Sequence, residues 1–225
     1  EDILAREDAD LIGLGRGLIA DPDWCNKARY GDVCDIRKCI SCNVGCVGNL
    51  IGGNKPLRCT INPDLIHGEA YKKVKINKPC SVVVVGAGTA GMEAACTAAE
   101  VGCNVTLLEK EDHVGGLSVE ISKIPAKTRL ADFPSYLKHR AAKLDNLKII
   151  TNADVTVGMI KTYRPDLVVN ATGSVPLLPP IEGLHENLGN KEACVYSIQD
   201  MINHIQDYPE DLSGKKVAVV GGGAV

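Results

Sequence analysis

One stretch of the sequence restricts the fold more than any other. Val82–Val85 form a short apolar run that predicts a buried β-strand, and the pattern Gly86-x-Gly88-x-x-Gly91 follows at once. An alanine-rich segment from about 90 to 101 then predicts a helix that ends at Gly102. A buried strand, a glycine loop and a helix in this order are typical of the first unit of a doubly wound α/β domain.

The glycine loop and the strand after it predict a dinucleotide site. Gly86 allows the tight turn, Gly88 lets a pyrophosphate approach the backbone, and Gly91 lets the helix pack closely on the strand. The N-terminus of the helix presents N–H groups and the positive end of its dipole to the phosphates. Glu109 follows the second predicted strand, Val105–Leu108, so we expect its carboxylate to accept the ribose hydroxyls of an adenosine.

The same alternation of strands and helices continues along the chain. Apolar periodicity and capping residues predict a helix at 128–144, strands at 147–150 and 167–171, a helix from Ser197 to about Ile205, and a strand at 216–220. The last strand leads into Gly221-Gly-Gly223, so a strand followed by glycines occurs at Val82 and again at Val217. This repetition predicts two nucleotide-binding domains in series.

Two features favour FAD over NAD at the first of these domains. Gly115-Gly116 follows Glu109 closely and offers a second close approach to the backbone, and the strand at 167–171 ends in Ala171-Thr172-Gly173. This combination resembles the two-dinucleotide-binding flavoproteins, in which the Ala-Thr-Gly turn leads from the FAD domain towards the NAD(P)H domain. The resemblance implies cofactor-binding roles for Gly116, Thr172 and Gly173. It also implies that Gly221 and Gly223 open a site for NADH or NADPH.

Four cysteines lie close together before the first glycine loop. Cys39, Cys42, Cys46 and Cys59 have the spacing C-x2-C-x3-C-x12-C. Closely spaced thiolates bind one face of a metal centre, and a fourth from a distance completes it. Residues 35–77 show little periodicity, and a loop segment of this length needs such a centre to hold it in place. The spacing favours an iron–sulfur cluster, with zinc, a redox dithiol and buried free thiols as alternatives.

The first part of the chain predicts a phosphate-binding turn. A short apolar strand from Asp10 leads into a turn on Gly13, Gly15 and Gly17. Asp21-Pro22 is then a start signal for a helix. Strand, glycine turn and helix in this order are typical of a phosphate site at the carboxyl end of a barrel strand, although an ordinary βα turn gives the same pattern.

The order of these motifs resembles a known enzyme family. A barrel end, a four-cysteine segment, an FAD fingerprint and a second dinucleotide motif follow one another in the old-yellow-enzyme-related reductases with three cofactors. These include 2,4-dienoyl-CoA reductase, 2-enoate reductase and trimethylamine dehydrogenase. The resemblance implies that Gly15 and Arg16 face the phosphate of FMN and that the four cysteines bind a [4Fe–4S] cluster. It further implies that FAD is bound by Gly86, Gly88, Gly91, Glu109 and Gly116.

The resemblance also divides the chain into four parts. These are the end of an FMN-binding TIM barrel at 1–34, a [4Fe–4S] segment at 35–77, a Rossmann-like FAD-binding domain at 78–171 and the start of an NAD(P)H-binding domain at 172–225. The expected fold class is therefore α/β. Because the family's proton donor lies earlier in its barrel, we expect a part of a longer enzyme that is inactive alone. None of the five histidines (His67, His113, His139, His185 and His204) matches a catalytic position.

The implied function is electron transfer from NAD(P)H through FAD and the cluster to FMN, for reduction of an activated C=C bond in a small unsaturated substrate. Three alternatives stay open. One is an iron–sulfur FAD subunit like that of glutamate synthase, and another is an amine dehydrogenase. The third is a nucleotide-binding module held together by zinc.

Composition narrows the remaining function classes. The net charge is −3 and no basic run occurs, which argues against nucleic-acid binding. No apolar run approaches the roughly 20 residues that span a bilayer. Ten cysteines in this α/β pattern favour a reducing compartment, so we expect a cytoplasmic protein, and a homo-oligomer is compatible with the sequence. Cys80, Cys96 and Cys103 are predicted to be small buried residues.

Overall fold

A four-stranded parallel sheet forms the centre of the fold. The computed structural model describes residues 2–65, 68–190, 192, 194–205 and 211–221. The strands are β1 (Ser81–Val85), β2 (Asn104–Leu108), β3 (Leu147–Ile150) and β4 (Leu167–Asn170), in the order β3-β2-β1-β4. Every pair is parallel, with Val82 opposite both Val105 and Leu167. The predicted parallel-sheet α/β fold is therefore confirmed.

Short helices connect and flank the strands. The α-helices are α1 (Asp2–Ala5), α2 (Arg16–Ala20), α3 (Trp24–Arg29), α4 (Thr89–Val101), α5 (Leu117–Ile121), α6 (Asp132–Ala141), α7 (Val157–Thr162), α8 (Leu184–Asn187) and α9 (Ile198–Asn203). Two 3-10 helices cover Val33–Asp35 and Pro125–Ala131, and a π-helix covers Val44–Gly52. Within the described ranges, no helix has the length and apolar character needed to cross a membrane.

Helix α4 and the sheet form the main core. The alanines of α4 favour helix, and the helix ends at Gly102, whose φ of 110° is the left-handed conformation that glycine adopts without a steric penalty. Met92 and Cys96 on α4 pack with Leu107 on β2 and Leu137 on α6, and all four are at most 1 % exposed. Full burial of such apolar side chains stabilises the fold by roughly 1.5–3 kcal/mol each.

A charged cluster fixes α6 on α4. The Arg140 Nη1 donates to both carboxylate oxygens of Glu93 at 2.9 and 2.8 Å, and its Nη2 donates to Glu100 at 2.8 Å. Burial acts to raise the pKa of Glu100, but the hydrogen bonds from Arg140 and Lys73 outweigh it and hold the pKa below its ordinary value. The carboxylates of Glu93 and Glu100 thus replace the lost hydration of the nearly buried Arg140 guanidinium.

Two predicted strands are wrong. No strand forms after Asp10, where Leu11 is 87 % exposed, and none forms at 216–220, where Val219 is 82 % exposed. A strand requires a neighbouring strand for its hydrogen bonds and an apolar face to bury, and the two segments lack this burial. The predicted helix at 128–144 is a 3-10 helix that passes into α6, and the expected loop around Cys46 is the π-helix.

The chain consists of two compact units, and the division lies between Val175 and Pro176. In the second unit, the predicted Ser197 cap is confirmed. The Ser197 hydroxyl accepts from the Asp200 N–H at 3.1 Å, while the Asp200 carboxylate accepts from the Ser197 N–H. Gly221 is described, whereas Gly223 lies outside the described residues.

Candidate functional site

The glycine loop lies at the point in the sheet where the order of the strands reverses. From β1 the chain continues to β2 and β3 on one side, and β4 pairs with β1 on the other. Gly86 follows β1 and Ala171 follows β4, so both loops leave the same carboxyl edge of the sheet. In doubly wound sheets, ligands bind at this position because the loops there diverge and leave a crevice.

Two glycines of the loop are required by the protein itself. A Cβ at Gly91 would lie 1.8 Å from the Gly86 carbonyl oxygen. A Cβ at Gly86 would lie 2.4 Å from the Ala171 carbonyl oxygen, and Gly86 also has a φ of +96°. These contacts involve backbone atoms that cannot move aside. The predicted roles of tight turn and close helix–strand approach therefore have a steric basis.

Gly88 differs from both of its neighbours in the motif. A Cβ built there would meet no atom within 4 Å, so nothing within the described chain requires a glycine at this position. Its extended backbone, with φ −66° and ψ −179°, is open to every residue type. The free space beside Gly88 is what a pyrophosphate would need in order to approach the backbone.

The second glycine pair packs directly on the first loop. Gly115 forms a parallel bridge with Gly88, and its N–H donates to the Ala87 carbonyl at 2.8 Å. A Cβ at Gly116 would lie 2.8 Å from the Gly88 Cα, and the φ of Gly116 is +56°. The two glycine loops therefore pack against each other at the edge of the sheet. The close backbone approach expected at Gly115-Gly116 is thus an approach to the first glycine loop.

The Glu109 carboxylate lies at the end of β2, where it is held by backbone donors. The residue is 8 % exposed. One carboxylate oxygen accepts from the Ala87 N–H at 2.5 Å and the other accepts from the Glu111 N–H at 3.0 Å. Each oxygen retains a lone pair, so an oriented carboxylate next to the glycine loop fits the hydroxyls of a ribose.

The loop after β4 completes this edge. The Ala171 N–H donates to the Val85 carbonyl at 2.8 Å, which extends the ladder beyond β4. The Asn170 side chain accepts from the Thr172 N–H at 3.2 Å and from the Thr172 hydroxyl at 2.9 Å. Thr172 and Gly173 are exposed, and the φ of Gly173 is +82°. The structure thus places Thr172 beside the glycine loop, since a Cβ at Gly86 would lie 3.0 Å from the Thr172 Cα.

All four cysteines of the predicted cluster site line a single cavity. Cys39, Cys46 and Cys59 are partly buried, while Cys42 is exposed. The other walls are provided by the apolar side chains of Ile19, Ile40 and Ile61 and by Arg16, Asn43, Gly45 and Thr60. Four thiols around one partly apolar cavity fit an iron–sulfur cluster. Within the described ranges, no three His, Cys, Asp or Glu side chains are grouped closely enough for a single metal ion.

Gly45 brings the distant fourth cysteine to the other three. The Gly45 carbonyl accepts from the Arg58 N–H at 2.7 Å, and a Cβ at Gly45 would lie 2.7 Å from the Arg58 carbonyl oxygen. This contact places Cys59 next to the π-helix that carries Cys46. In the sequence, the only signal of this role of Gly45 is a glycine directly before a predicted ligand.

Hydrogen bonds also reach the sulfur atoms. The Ser41 N–H donates to the Cys39 Sγ at 3.4 Å, and the Cys42 Sγ and the Thr60 hydroxyl are 3.3 Å apart. Ser41 and Asn43 both have a φ of 57°, a left-handed conformation that Asn tolerates but that is uncommon for Ser. Strain of this kind is concentrated at functional sites.

The predicted FMN-phosphate turn adjoins the cysteine cavity. Gly15 is the N-cap of α2, and a Cβ there would meet no atom within 4 Å, so the space that a phosphate needs is present. The Arg16 side chain donates to the Asn43 side chain and lines the cavity. Arg16 therefore contacts the cysteine segment, a contact that the sequence does not indicate.

A buried polar network joins the turn to the cysteine segment. Asp21 and Asn62 are each 2 % exposed. Arg37 donates to the Asn62 side chain and to the Ala20 carbonyl, both at 2.9 Å, and its backbone N–H donates to Asp21 at 2.8 Å. Burial acts to raise the pKa of Asp21, but Lys27 and the Arg37 N–H outweigh it and hold the pKa below its ordinary value.

A second set of contacts joins the cysteine segment to helix α6. Lys143 donates to both carboxylate oxygens of Asp35 at 2.5 Å, and the His139 Nε2 lies 2.9 Å from the same carboxylate. The hydrogen bond from Lys143 holds the pKa of Asp35 below its usual range. The Arg37 guanidinium also lies 5.9 Å from the Tyr136 ring centroid on α6. His139 is a partly exposed residue of α6 that takes part in this contact.

The other histidines that the structure describes are at the surface. His113 and His185 are exposed, and His204 contacts the Asp200 carbonyl at the end of α9. Hydrogen bonding to Asp112 raises the pKa of His113. His67 lies outside the described residues.

Comparison with known proteins agrees with this geometry. A family model described as FAD dependent oxidoreductase matches residues 81–132, which include the glycine loop, Glu109 and both glycines of the second pair. An NADH oxidase of Thermoanaerobacter brockii is 39 % identical over 230 residues, covering 100 % of this chain and 34 % of the relative. A cinnamate reductase of Clostridium sporogenes is 33 % identical over 226 residues, covering 100 % and 31 %.

A solved structure gives the same result for the fold. A 2-naphthoyl-CoA reductase bound to 2-naphthoyl-CoA superposes with a TM-score of 0.78 and 34 % identity, over 83 % of this chain and 28 % of that chain. The present chain thus spans about a third of the length of the curated relatives it matches. It belongs to the old-yellow-enzyme-related flavin oxidoreductases, as a stretch whose residues 81–132 match the FAD dependent oxidoreductase model.

Proposed function

We propose that the chain is the electron-transfer part of an NAD(P)H-dependent reductase, in which electrons pass by way of FAD, a [4Fe–4S] cluster and FMN to an activated C=C bond of a small unsaturated substrate. The cavity lined by four cysteines carries this proposal, since it lies in the same compact unit as the glycine loop. The similarity to a cinnamate reductase and a 2-naphthoyl-CoA reductase supports the choice of substrate class.

Separate groups of residues would hold each cofactor. Gly88, Glu109 and Thr172 line the edge at which FAD would bind, with Gly86, Gly91, Gly116 and Gly173 shaping its loops. Cys39, Cys42, Cys46 and Cys59 would bind the cluster. Gly15 and Arg16, at the end of the proposed barrel, would face the FMN phosphate. Gly221 and Gly223 would contact NAD(P)H. We propose the same four domains, with the bounds predicted from the sequence.

The chemistry of these cofactors explains why they would be arranged in one chain. When bound, flavins exchange electrons singly or in pairs and a cluster exchanges one at a time, so the cluster would connect two flavins. The chain's own contribution is to hold the cysteine segment against both neighbours. The Asp21–Arg37 contact joins the segment to the residues after α2, and the Asp35–Lys143 contact joins it to the residues after α6.

Metal analysis tests the proposal. The chain, prepared without oxygen, is expected to contain about four iron atoms and four acid-labile sulfides per molecule. Cys42→Ala removes one predicted ligand and is expected to abolish most of this content. Cys25→Ala is the matched control, because Cys25 is an exposed thiol of α3 outside the cavity. A colourless preparation with one zinc ion per chain would contradict the cluster.

A further inference from the structure

Two cysteines that the proposed function does not use lie side by side in the first unit. Cys80 directly precedes β1 and Cys103 directly precedes β2, and their Sγ atoms are 3.2 Å apart and share a hydrogen bond. The register that places Ser81 opposite Asn104 also places Cys80 opposite Cys103. The Asn104 N–H donates to the Cys80 carbonyl at 2.8 Å, so the ladder continues to this position.

The pairing of the two strands is compatible with a bond between these thiols. Neighbouring strands in a sheet are about 4.8 Å apart, and disulfides span Cα separations of about 4.4–6.8 Å. The two thiols face each other within the apolar core, since Cys103 belongs to the core and Cys80 packs against it. The usual separation of paired strand residues is therefore within the range that a disulfide spans.

The two thiols differ in their access to solvent. Cys103 is 6 % exposed, whereas Cys80 is only partly buried. Burial, together with the hydrogen bond and charge of Cys80, raises the pKa of Cys103 to about 11. A thiol with such a pKa is a poor first nucleophile, because the thiolate is the reactive form. Cys80 is therefore the residue that an oxidant in solution meets first.

We propose that Cys80 and Cys103 form a redox-active dithiol pair that exchanges with low-molecular-weight disulfides. The Cys80 sulfur attacks one sulfur of the small disulfide, forms a mixed disulfide and releases one small thiol. The Cys103 sulfur then attacks the Cys80 sulfur, forms the Cys80–Cys103 bond and releases the second small thiol. Two protein thiols are oxidised, one small disulfide is reduced to two thiols, and the two protons leave with them.

This site is separate from the flavin edge. The two cysteines precede the amino ends of β1 and β2, while Gly86 and Glu109 follow the carboxyl ends of the same strands. Oxidation would therefore connect the two central strands at the end remote from the glycine loop. The proposal does not depend on the cluster, because none of the four cavity cysteines takes part in it.

Cys96 provides an internal control for the test. It is fully buried in the same core, and burial raises its pKa to about 11 as well. It has no role in the proposed pair. The chain with its cofactors is equilibrated without oxygen in glutathione buffers of increasing oxidised fraction, and free thiols are then alkylated. Cleavage after Glu93 and Glu100 puts Cys80, Cys96 and Cys103 on separate peptides.

The expected result is a linked peptide pair that has lost two hydrogens and contains Cys80 and Cys103, while Cys96 stays alkylated. In Cys103→Ser, Cys80 is expected to accumulate as a mixed disulfide with glutathione. The proposal is overturned if both thiols of the unchanged protein stay alkylated in oxidised glutathione alone. It is equally overturned if the unchanged protein stops at the mixed disulfide, and these two outcomes do not require the variant to fold.

Discussion

At the scale of single residues, the glycines of the first loop are required for two different reasons. Gly86 and Gly91 avoid contacts with backbone atoms of the protein, whereas Gly88 faces free space. The first kind of requirement belongs to the folded chain itself. The second would belong to the proposed flavin, so substitution should separate stability from flavin binding.

Gly91→Ala and Gly88→Ala form a matched pair for this separation. Gly91→Ala should lower the free energy of unfolding by about 3 kcal/mol, because its Cβ would lie 1.8 Å from a backbone oxygen. Gly88→Ala should leave the denaturation midpoint nearly unchanged and weaken FAD binding by about tenfold or more, a loss of roughly 1.4 kcal/mol. Chemical denaturation and flavin titration measure the two effects. Normal flavin affinity in Gly88→Ala would contradict the approach of a pyrophosphate there.

Thr60 gives a prediction for the proposed cluster. Its hydroxyl lies 3.3 Å from the Cys42 sulfur and would donate to that atom as a thiolate ligand. Such a bond stabilises the more negative, reduced form and so raises the reduction potential. Thr60→Val should lower the potential by about 40 mV, which is about 1 kcal/mol for one electron. A potentiometric titration measures it, and Thr60→Ser, which keeps the hydroxyl, should restore the original value.

Residue roles could be predicted where local geometry decides them. The contacts of Gly86 and Gly91 follow from the passage of a strand into a helix, so the spacing was sufficient to identify both residues. The Glu109 position followed from the length of β2. Its two backbone donors, Ala87 and Glu111, could not be predicted, because they depend on how the loops pack on each other.

At the scale of elements, the π-helix Val44–Gly52 is the main departure from the sequence pattern. A segment rich in glycine, with no apolar periodicity, indicates a loop. Instead, the π-helix turns Cys46 towards the cavity, and Arg58 pairs with its first turn. The wider turn is unfavourable alone, and such turns occur mostly at functional sites. Long-range contacts of this kind leave no periodic signal in the sequence.

Two glycines of the π-helix test this interpretation. Gly45→Ala would place a Cβ 2.7 Å from the Arg58 carbonyl oxygen, so the segment that carries Cys59 must move away. Iron content should fall to less than half of the unchanged chain's value on anaerobic reconstitution. Gly52→Ala is the control, since its Cβ would meet no atom within 4 Å. If both variants retain iron equally, close packing at Gly45 does not position Cys59.

At the scale of the whole first unit, side-chain networks hold the cysteine segment between its neighbours. Arg37 is the central residue, because it bonds to the α2 segment through Ala20 and to the residues after Cys59 through Asn62. It also lies over the Tyr136 ring of α6. A single side chain therefore contacts three separate parts of the chain.

Arg37→Ala should lower the free energy of unfolding by about 3 kcal/mol, because the Asn62 oxygen and the Ala20 carbonyl lose their donor in a dry environment. Arg6→Ala is the control. Its ion pair with Asp8 is exposed, and its loss should change the free energy by no more than about 1 kcal/mol. Denaturation monitored by circular dichroism measures both. Equal effects of the two substitutions would show that the Arg37 network does not hold the unit together.

The arrangement of the whole unit was only partly predictable. The parallel sheet follows from alternating strands and helices, since parallel neighbours need a crossover between them. The contacts of Arg37 and of Asp35 with Lys143 could not be derived, because charged residues far apart in sequence give no sign of which partner each will meet. The strands predicted near residues 10 and 216 failed because an apolar run does not supply the neighbour that a strand needs.

The long-range contacts of the cysteine segment have a consequence for synthesis. Asp35 is 108 residues before Lys143, and Ser41 is 88 residues before Arg129. At about 5–20 residues per second, roughly 5–20 s pass between translation of Asp35 and translation of Lys143. During this interval the cysteines leave the ribosome without the helix that later holds their segment. Machinery that assembles the proposed cluster would therefore have a period in which the thiols are accessible, and so would any oxidant.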